Sequence, residues 1–212
     1  MSYWKNRNII STTIRFYDYL VNDINCNYVW RCNKTNIFEL YKSNLKSNHL
    51  EIGPGSGFFL YPQNHSRNIQ NLKLMDINKP ILNSSLQNLT KYYNNIEIYH
   101  HNIFEQEINL PNVESVGINY VLHCVPGKLE DKFNNLLNNL PNSINIFGST
   151  VINDNDKQTL ISKTELLFLN QYQIFNNKLD YSNNLINFLK YNNLDHQTKI
   201  IGNVLLFEIK KS

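Results

Sequence analysis

Leu50-Glu51-Ile52-Gly53-Pro54-Gly55-Ser56-Gly57-Phe58-Phe59-Leu60 is the stretch on which the fold turns. A short apolar run ends in an acid and then in three glycines spaced by two. Glycine at 53, 55 and 57 lets the backbone turn tightly and approach a ligand closely. The dinucleotide fingerprint G-x-G-x-x-G would need its third glycine at position 58, which is Phe58. Glu51 stands where a bound pyrophosphate would lie. Two like charges a few Å apart cost roughly 4 kcal/mol at an effective dielectric of 20. The turn therefore disfavours a phosphate and favours a cationic ligand.

Outward from this turn, strands alternate with helical patterns. Upstream, Ile10, Ile14, Tyr17, Val21 and Ile24 mark one face of a helix over about residues 6–24. A second helix is expected at Ile37, Phe38, Tyr41 and Leu45, with Thr35 or Asn36 as cap. Downstream, a strand at Leu72 to Met75 leads into Asp76-Ile77-Asn78-Lys79-Pro80. There Asn78 can cap a helix whose first turn holds Pro80 and whose inner side is Leu82, Leu86, Leu89 and Tyr93. Strands at Ile96 to Tyr99, Val116 to Val121 and Ile144 to Phe147 flank a helix around Leu129 to Leu140.

This alternation implies βαβ units and a parallel sheet covered on both faces. The end of the chain differs. His196 to Ile201 and Val204 to Ile209 are joined only by Gly202-Asn203, which reads as a tight antiparallel hairpin. The expected fold is α/β, a doubly wound, Rossmann-like, seven-stranded sheet, mostly parallel, closed by a C-terminal antiparallel hairpin. Residues 1–47 are expected to form a helical cap packed on a core of residues 48–212, one compact domain overall.

Asp76 falls at the end of the second strand, where an acid can accept both hydroxyls of a ribose. Joined to Glu51 and the glycines, it narrows the cationic ligand to a nucleoside carrying a sulfonium and an ammonium. S-adenosylmethionine (SAM) is such a ligand.

At these residues the chain resembles the class I SAM-dependent methyltransferases, from about Tyr17 to the C-terminus. Glu51-Ile52-Gly53-Pro54-Gly55-Ser56-Gly57 is similar to that family's first motif and Asp76, with Ile77, to its second. His101-Asn102-Ile103 occupies the third, with Asn102 in place of the usual Asp. Asn119-Tyr120-Val121-Leu122-His123-Cys124-Val125-Pro126-Gly127 occupies the fourth. The resemblance implies that Glu51, Gly53, Gly55, Gly57, Asp76, Ile77, Asn102, Ile103 and Asn119 bind the cofactor. More narrowly, Tyr17-Asp18, Asn27-Tyr28-Val29-Trp30-Arg31-Cys32, Leu122 to Gly127 and Phe147-Gly148-Ser149-Thr150 resemble small stand-alone, type 11/12-like methyltransferases. Their members often lie near natural-product pathways in microbes.

The expected activity is methyl transfer from SAM, released as S-adenosylhomocysteine, to an oxygen or nitrogen of a small molecule, with no metal. His123 is the candidate general base, since imidazole titrates near neutrality, and Tyr120 is its alternate. Tyr17, Tyr28, Trp30 and Arg31 are candidate substrate contacts, through an aromatic cage. An RNA or protein methyltransferase, or a SAM-binding protein without methyl transfer, are the competing readings.

Composition bounds these readings. A chain of 212 residues with 42% hydrophobic and 17% charged residues buries a real core and has no long apolar run for a membrane helix. A net charge of +3 calls for neither nucleic acid nor an anionic membrane as partner. The 38 asparagines and the lack of any alanine lower helix propensity without adding chemistry. Three cysteines, Cys26, Cys32 and Cys124, and a polar start argue against a disulfide framework and for the cytoplasm. Cys26 and Cys32 lack zinc-ligand spacing. A monomer or homodimer is expected.

Overall fold

The computed structural model describes residues 25–211. The helix expected over about residues 6–24, and with it Tyr17, lies outside them. Seven strands form one sheet in the order β3-β2-β1-β4-β5-β7-β6. They are β1 (Asn48–Ile52), β2 (Asn71–Asp76), β3 (Ile96–His100), β4 (Ser115–Asn119), β5 (Ile144–Val151), β6 (Asp195–Ile201) and β7 (Val204–Lys211). The first five run parallel, and β7 pairs antiparallel with both β5 and β6. The hairpin read at Gly202-Asn203 is therefore real, and Gly202 has φ +57° as its turn requires.

Helices cover both faces. On one face lie α1 (Lys34–Asn44) and α3 (Lys79–Leu89), which bury Ile37, Leu40, Tyr41, Leu82 and Leu89 with Phe147 and Leu206 of the sheet. The short α2 (Pro62–His65) follows the glycine turn. On the other face α4 (Leu129–Asn139) and α6 (Ser182–Tyr191) bury Phe133, Leu136, Leu185 and Leu189 against Leu50, Ile118 and Phe207. α5 (Leu160–Gln171) adds Leu166 to the first core.

Three local expectations change. The cap of α1 is Asn33, whose side chain accepts from Thr35 N, rather than Thr35 or Asn36. Asn78 is the N-cap of α3, but its side chain makes no capping bond; its own N–H is taken by Asp76 Oδ1 at 2.8 Å. β4 ends at Asn119 rather than Val121, because Tyr120 adopts φ +55° and turns the chain out of the sheet. Among the described residues α1 is part of the layer that covers the sheet, with Tyr41 fully buried.

Candidate active site

A cavity of about 810 Å³ opens at the C-terminal edge of the parallel strands. That is where open α/β sheets bind ligands, beside the point at which strand order reverses between β1 and β4. Its walls come from the β1 turn, the ends of β2 and β3, the segment after β4, the end of β5, the turn at residues 25–30 and the segment after α5.

The β1 turn supplies Gly53, Gly55 and Ser56 to the wall. Gly53 has φ +67°, and a Cβ there would sit 2.3 Å from Val121 Cγ2, so the loop after β4 packs directly on bare backbone. Gly55 has φ +58° and nothing within 4 Å of where its Cβ would be. Gly57 corrects one expectation: it does not line the cavity. A Cβ there would meet Leu89 at 2.8 Å, so this glycine lets α3 close on the turn.

Glu51 is the larger correction. Side chains alternate along a strand, and Glu51 shares with His49 the face opposite to Leu50 and Ile52. Its carboxylate is buried behind the turn and does not line the cavity. Oε1 accepts from Tyr41 OH at 2.6 Å, and Oε2 lies 2.9 Å from His49 Nε2. His49 Nδ1 lies 2.9 Å from Ser115 Oγ. Asn119 is drawn into the same chain. Its Nδ2 donates to Tyr41 OH at 2.9 Å, and its Oδ1 accepts from Ser149 Oγ at 3.0 Å. Neither carboxylate nor amide reaches the ligand space; together they tie β1, α1, β4 and β5 beneath it.

On the β2–β3 side the cavity wall includes Asp76, Ile77, Asn102 and Ile103. Asn102 is held in a local turn, with Oδ1 accepting from Phe104 N at 3.2 Å. Among the cavity residues not foreseen is Ser56, whose buried Oγ has no hydrogen-bond partner among the described residues.

The other side is aromatic. Trp30 lines the cavity and stacks on Phe175, with centroids 5.9 Å apart; Phe175 packs at 4.1 Å on His123. Tyr28 and Arg31 do not belong. Tyr28 is 75% exposed, and Arg31 turns outward to the carbonyl of Lys157. Tyr120 and His123 both line the cavity. The Tyr120 hydroxyl is set against the thiols of Cys26 and Cys32, and burial pushes its pKa well above the usual range. His123 Nδ1 accepts from Val151 N at 3.3 Å.

The segment after α5 is the part no motif announced. Tyr172, Gln173, Ile174 and Phe175 line the cavity, and Asn176 and Asn177 pin them. Asn176 N donates to His123 O at 2.6 Å, its Nδ2 to Cys124 O at 3.0 Å, and Asn177 Nδ2 to Val151 O at 3.0 Å. Below them Lys132 Nζ bonds Asp180 Oδ1 and Oδ2 at 2.8 and 2.7 Å and Asn176 O at 3.1 Å. Both charges are buried, Lys132 at 1% and Asp180 at 0% exposure. Burial pushes the Asp180 carboxyl up to about 7 and the Lys132 ammonium down, against their mutual attraction.

Among the described residues no group of three or more His, Cys, Asp or Glu is placed to hold a metal, and no helix is long and apolar enough to cross a membrane.

A seven-stranded sheet of this order, with a cavity at the β1–β4 switch point, is the architecture of the class I methyltransferases. No family model matches the chain. It is 28% identical over 211 residues to "Methyltransferase ctvB" of Aspergillus terreus, covering 92% of this chain and 89% of that protein. Among solved structures it is similar to the mitomycin 7-O-methyltransferase MmcR, with TM-score 0.67 and 13% identity over 100% of this chain and 61% of that one. It is also similar to a protein solved as a DhpI-SAM-HEP complex, with TM-score 0.59 and 11% identity over 95% and 97% of the two chains. The chain spans less than two thirds of the length of the first solved proteins it matches. The fold is thus that of the class I methyltransferases, and the curated relatives it resembles are named as methyltransferases.

Proposed function

We propose that the protein transfers a methyl group from SAM to an oxygen or nitrogen of a small molecule of the kind made in secondary metabolism. The observation that carries this reading is the two-sided cavity, polar and glycine-turned toward β2 and β3, aromatic toward β4 and β5. At about 810 Å³ it lies high in the range of about 300–1,000 Å³ that ligand sites span, which suits a cofactor with a small acceptor beside it.

The residues present fit SAM. Gly55 leaves open space beside bare backbone, and the buried Ser56 Oγ offers a polar atom that nothing among the described residues satisfies. Asp76 stands at the end of β2 for a ribose, with Ile77, Asn102 and Ile103 along the same wall. Bound there, SAM supplies an already activated methyl group on a sulfonium. The protein's part is to align the acceptor and exclude water, and positioning of this kind supplies about 7–11 kcal/mol. Trp30, Phe175 and the segment pinned by Asn176 are the groups that would hold the acceptor. No metal enters this reading. The protein is taken as a cytoplasmic monomer or homodimer.

The test is incubation of the protein with isotopically labelled SAM and an extract of host small molecules, followed by mass spectrometry. A labelled methyl on a small molecule supports the reading. Label found only on RNA or protein, or none transferred despite tight SAM binding, replaces it with one of the competing readings.

A further inference from the structure

Cys26 and Cys32 flank the turn that brings Trp30 to the cavity wall, and the backbone ties them together. Cys32 N donates to Cys26 O at 2.7 Å. Standard bond lengths on either side of that hydrogen bond keep the two Cα atoms within about 6.6 Å of each other. Disulfides span about 4.4–6.8 Å between Cα atoms. Both side chains also turn the same way. The Tyr120 hydroxyl is set against both thiols, so the two sulfurs converge on one oxygen.

The two thiols differ in access. Cys26 lines the cavity. Cys32 does not, and is wholly buried in the core that holds Trp30, Ile37 and Tyr41. Burial pushes the Cys32 thiol up to about 11, so it does not react first with a reagent from solution. One thiol is reached from the cavity and the other stands behind it. The third cysteine, Cys124, also lines the cavity, from the segment after β4.

We propose that Cys26 and Cys32 are a redox-active pair, a modification site at the cavity wall that a small disulfide such as glutathione disulfide converts to an intramolecular disulfide. The Cys26 sulfur attacks one sulfur of the small disulfide. That S–S bond breaks, a mixed disulfide forms, and one small thiol leaves with the proton that Cys26 gives up. The Cys32 sulfur then attacks the Cys26 sulfur and closes the protein disulfide, and the second small thiol leaves with the proton from Cys32. The protein loses two electrons and the small disulfide gains them. Proximity offsets the low thiolate fraction of Cys32. The cavity, about 810 Å³, has room for the mixed intermediate. The crosslink closes a ring around Asn27-Tyr28-Val29-Trp30-Arg31 and so fixes the turn that holds Trp30 against Phe175. The pair does not depend on which ligand the cavity binds.

The test equilibrates the folded protein, and separately the urea-unfolded chain, with glutathione buffers of graded ratio. Remaining thiols are blocked under denaturing conditions and the protein is digested with trypsin. Cleavage at Arg15, Arg31 and Lys34 puts Cys26 in residues 16–31 and Cys32 in residues 32–34. Mass spectrometry should find these two peptides joined, and dithiothreitol should part them. The equilibrium constant for the link should be at least about 10-fold higher in the folded protein than in the unfolded chain, because the fold holds the sulfurs together. Cys124→Ser should leave the link in place, and Cys32→Ser should stop at the mixed disulfide on Cys26. A link from Cys26 to residues 92–128, which carry Cys124, overturns the proposal. So does a mixed disulfide that never resolves in the wild type, the absence of any oxidation, or an equilibrium constant no higher in the folded protein than in the unfolded chain.

Discussion

Tyr41 donates its hydroxyl to Glu51 at 2.6 Å from the helix that lies against the sheet, with both side chains shut away from water. The same oxygen accepts from Asn119. One phenol thus bridges the strand before the glycine turn and the strand before Tyr120, the two walls that meet at the cavity.

Tyr41→Phe removes that bridge and leaves a buried carboxylate oxygen and a buried amide N–H unpaired. Each group so orphaned costs about 1–3 kcal/mol, more when charged. Urea unfolding should show a loss of this size. A change below about 0.5 kcal/mol would mean that the two groups find other partners.

Gly53 and Gly57 should respond differently to alanine. Gly53→Ala places a methyl against Val121 Cγ2 at 2.3 Å with φ +67°, so the loop after β4 must move, and SAM affinity should fall along with stability. Gly57→Ala pushes on Leu89, a flexible side chain outside the cavity, and should cost stability, about 1–3 kcal/mol, with a smaller effect on affinity. Calorimetric titration of both variants checks the contrast; equal losses of affinity would put Gly57 at the ligand.

Much of this was legible beforehand, and the failures have physical causes. The parallel strands follow from βαβ alternation and the antiparallel end from a two-residue hairpin, both local signals. The motif alone sets Glu51 at the ligand; strand alternation puts residues 49 and 51 on one face and 50 and 52 on the other, and so turns its carboxylate away. Tyr28 and Arg31 are neighbours of Trp30 in sequence, yet of the three only Trp30 lines the cavity. The Lys132–Asp180 pair is separated by 48 residues, and Phe175 follows a helix with no motif, so only the folded chain brings them to the site.

That ion pair makes stability depend on pH. Burial holds the Asp180 carboxyl up to about 7, whereas an unfolded Asp releases its proton near about 3.9. Between those values the folded chain binds more protons than the unfolded one, so this group lowers stability as pH rises from about 4 to about 7. Asp180→Asn removes the effect. The difference in unfolding free energy between wild type and D180N should change across that window and be level above it; a constant difference contradicts the burial of this carboxyl.

Lys132→Met strips Asp180 of the partner that opposes the effect of burial, so its carboxyl, held up to about 7, rises further and keeps its proton near neutral pH. The segment carrying Tyr172 to Phe175 loses its anchor at Asn176 O at the same time. Acceptor KM should therefore rise by a larger factor than the SAM dissociation constant. Equal factors would separate that segment from acceptor binding.

The most direct measurement is calorimetric titration of the purified protein with SAM and, separately, with NAD. The account predicts saturable binding of SAM, weakened by Asp76→Ala, and no uptake of the dinucleotide. Uptake of NAD with indifference to SAM would contradict it.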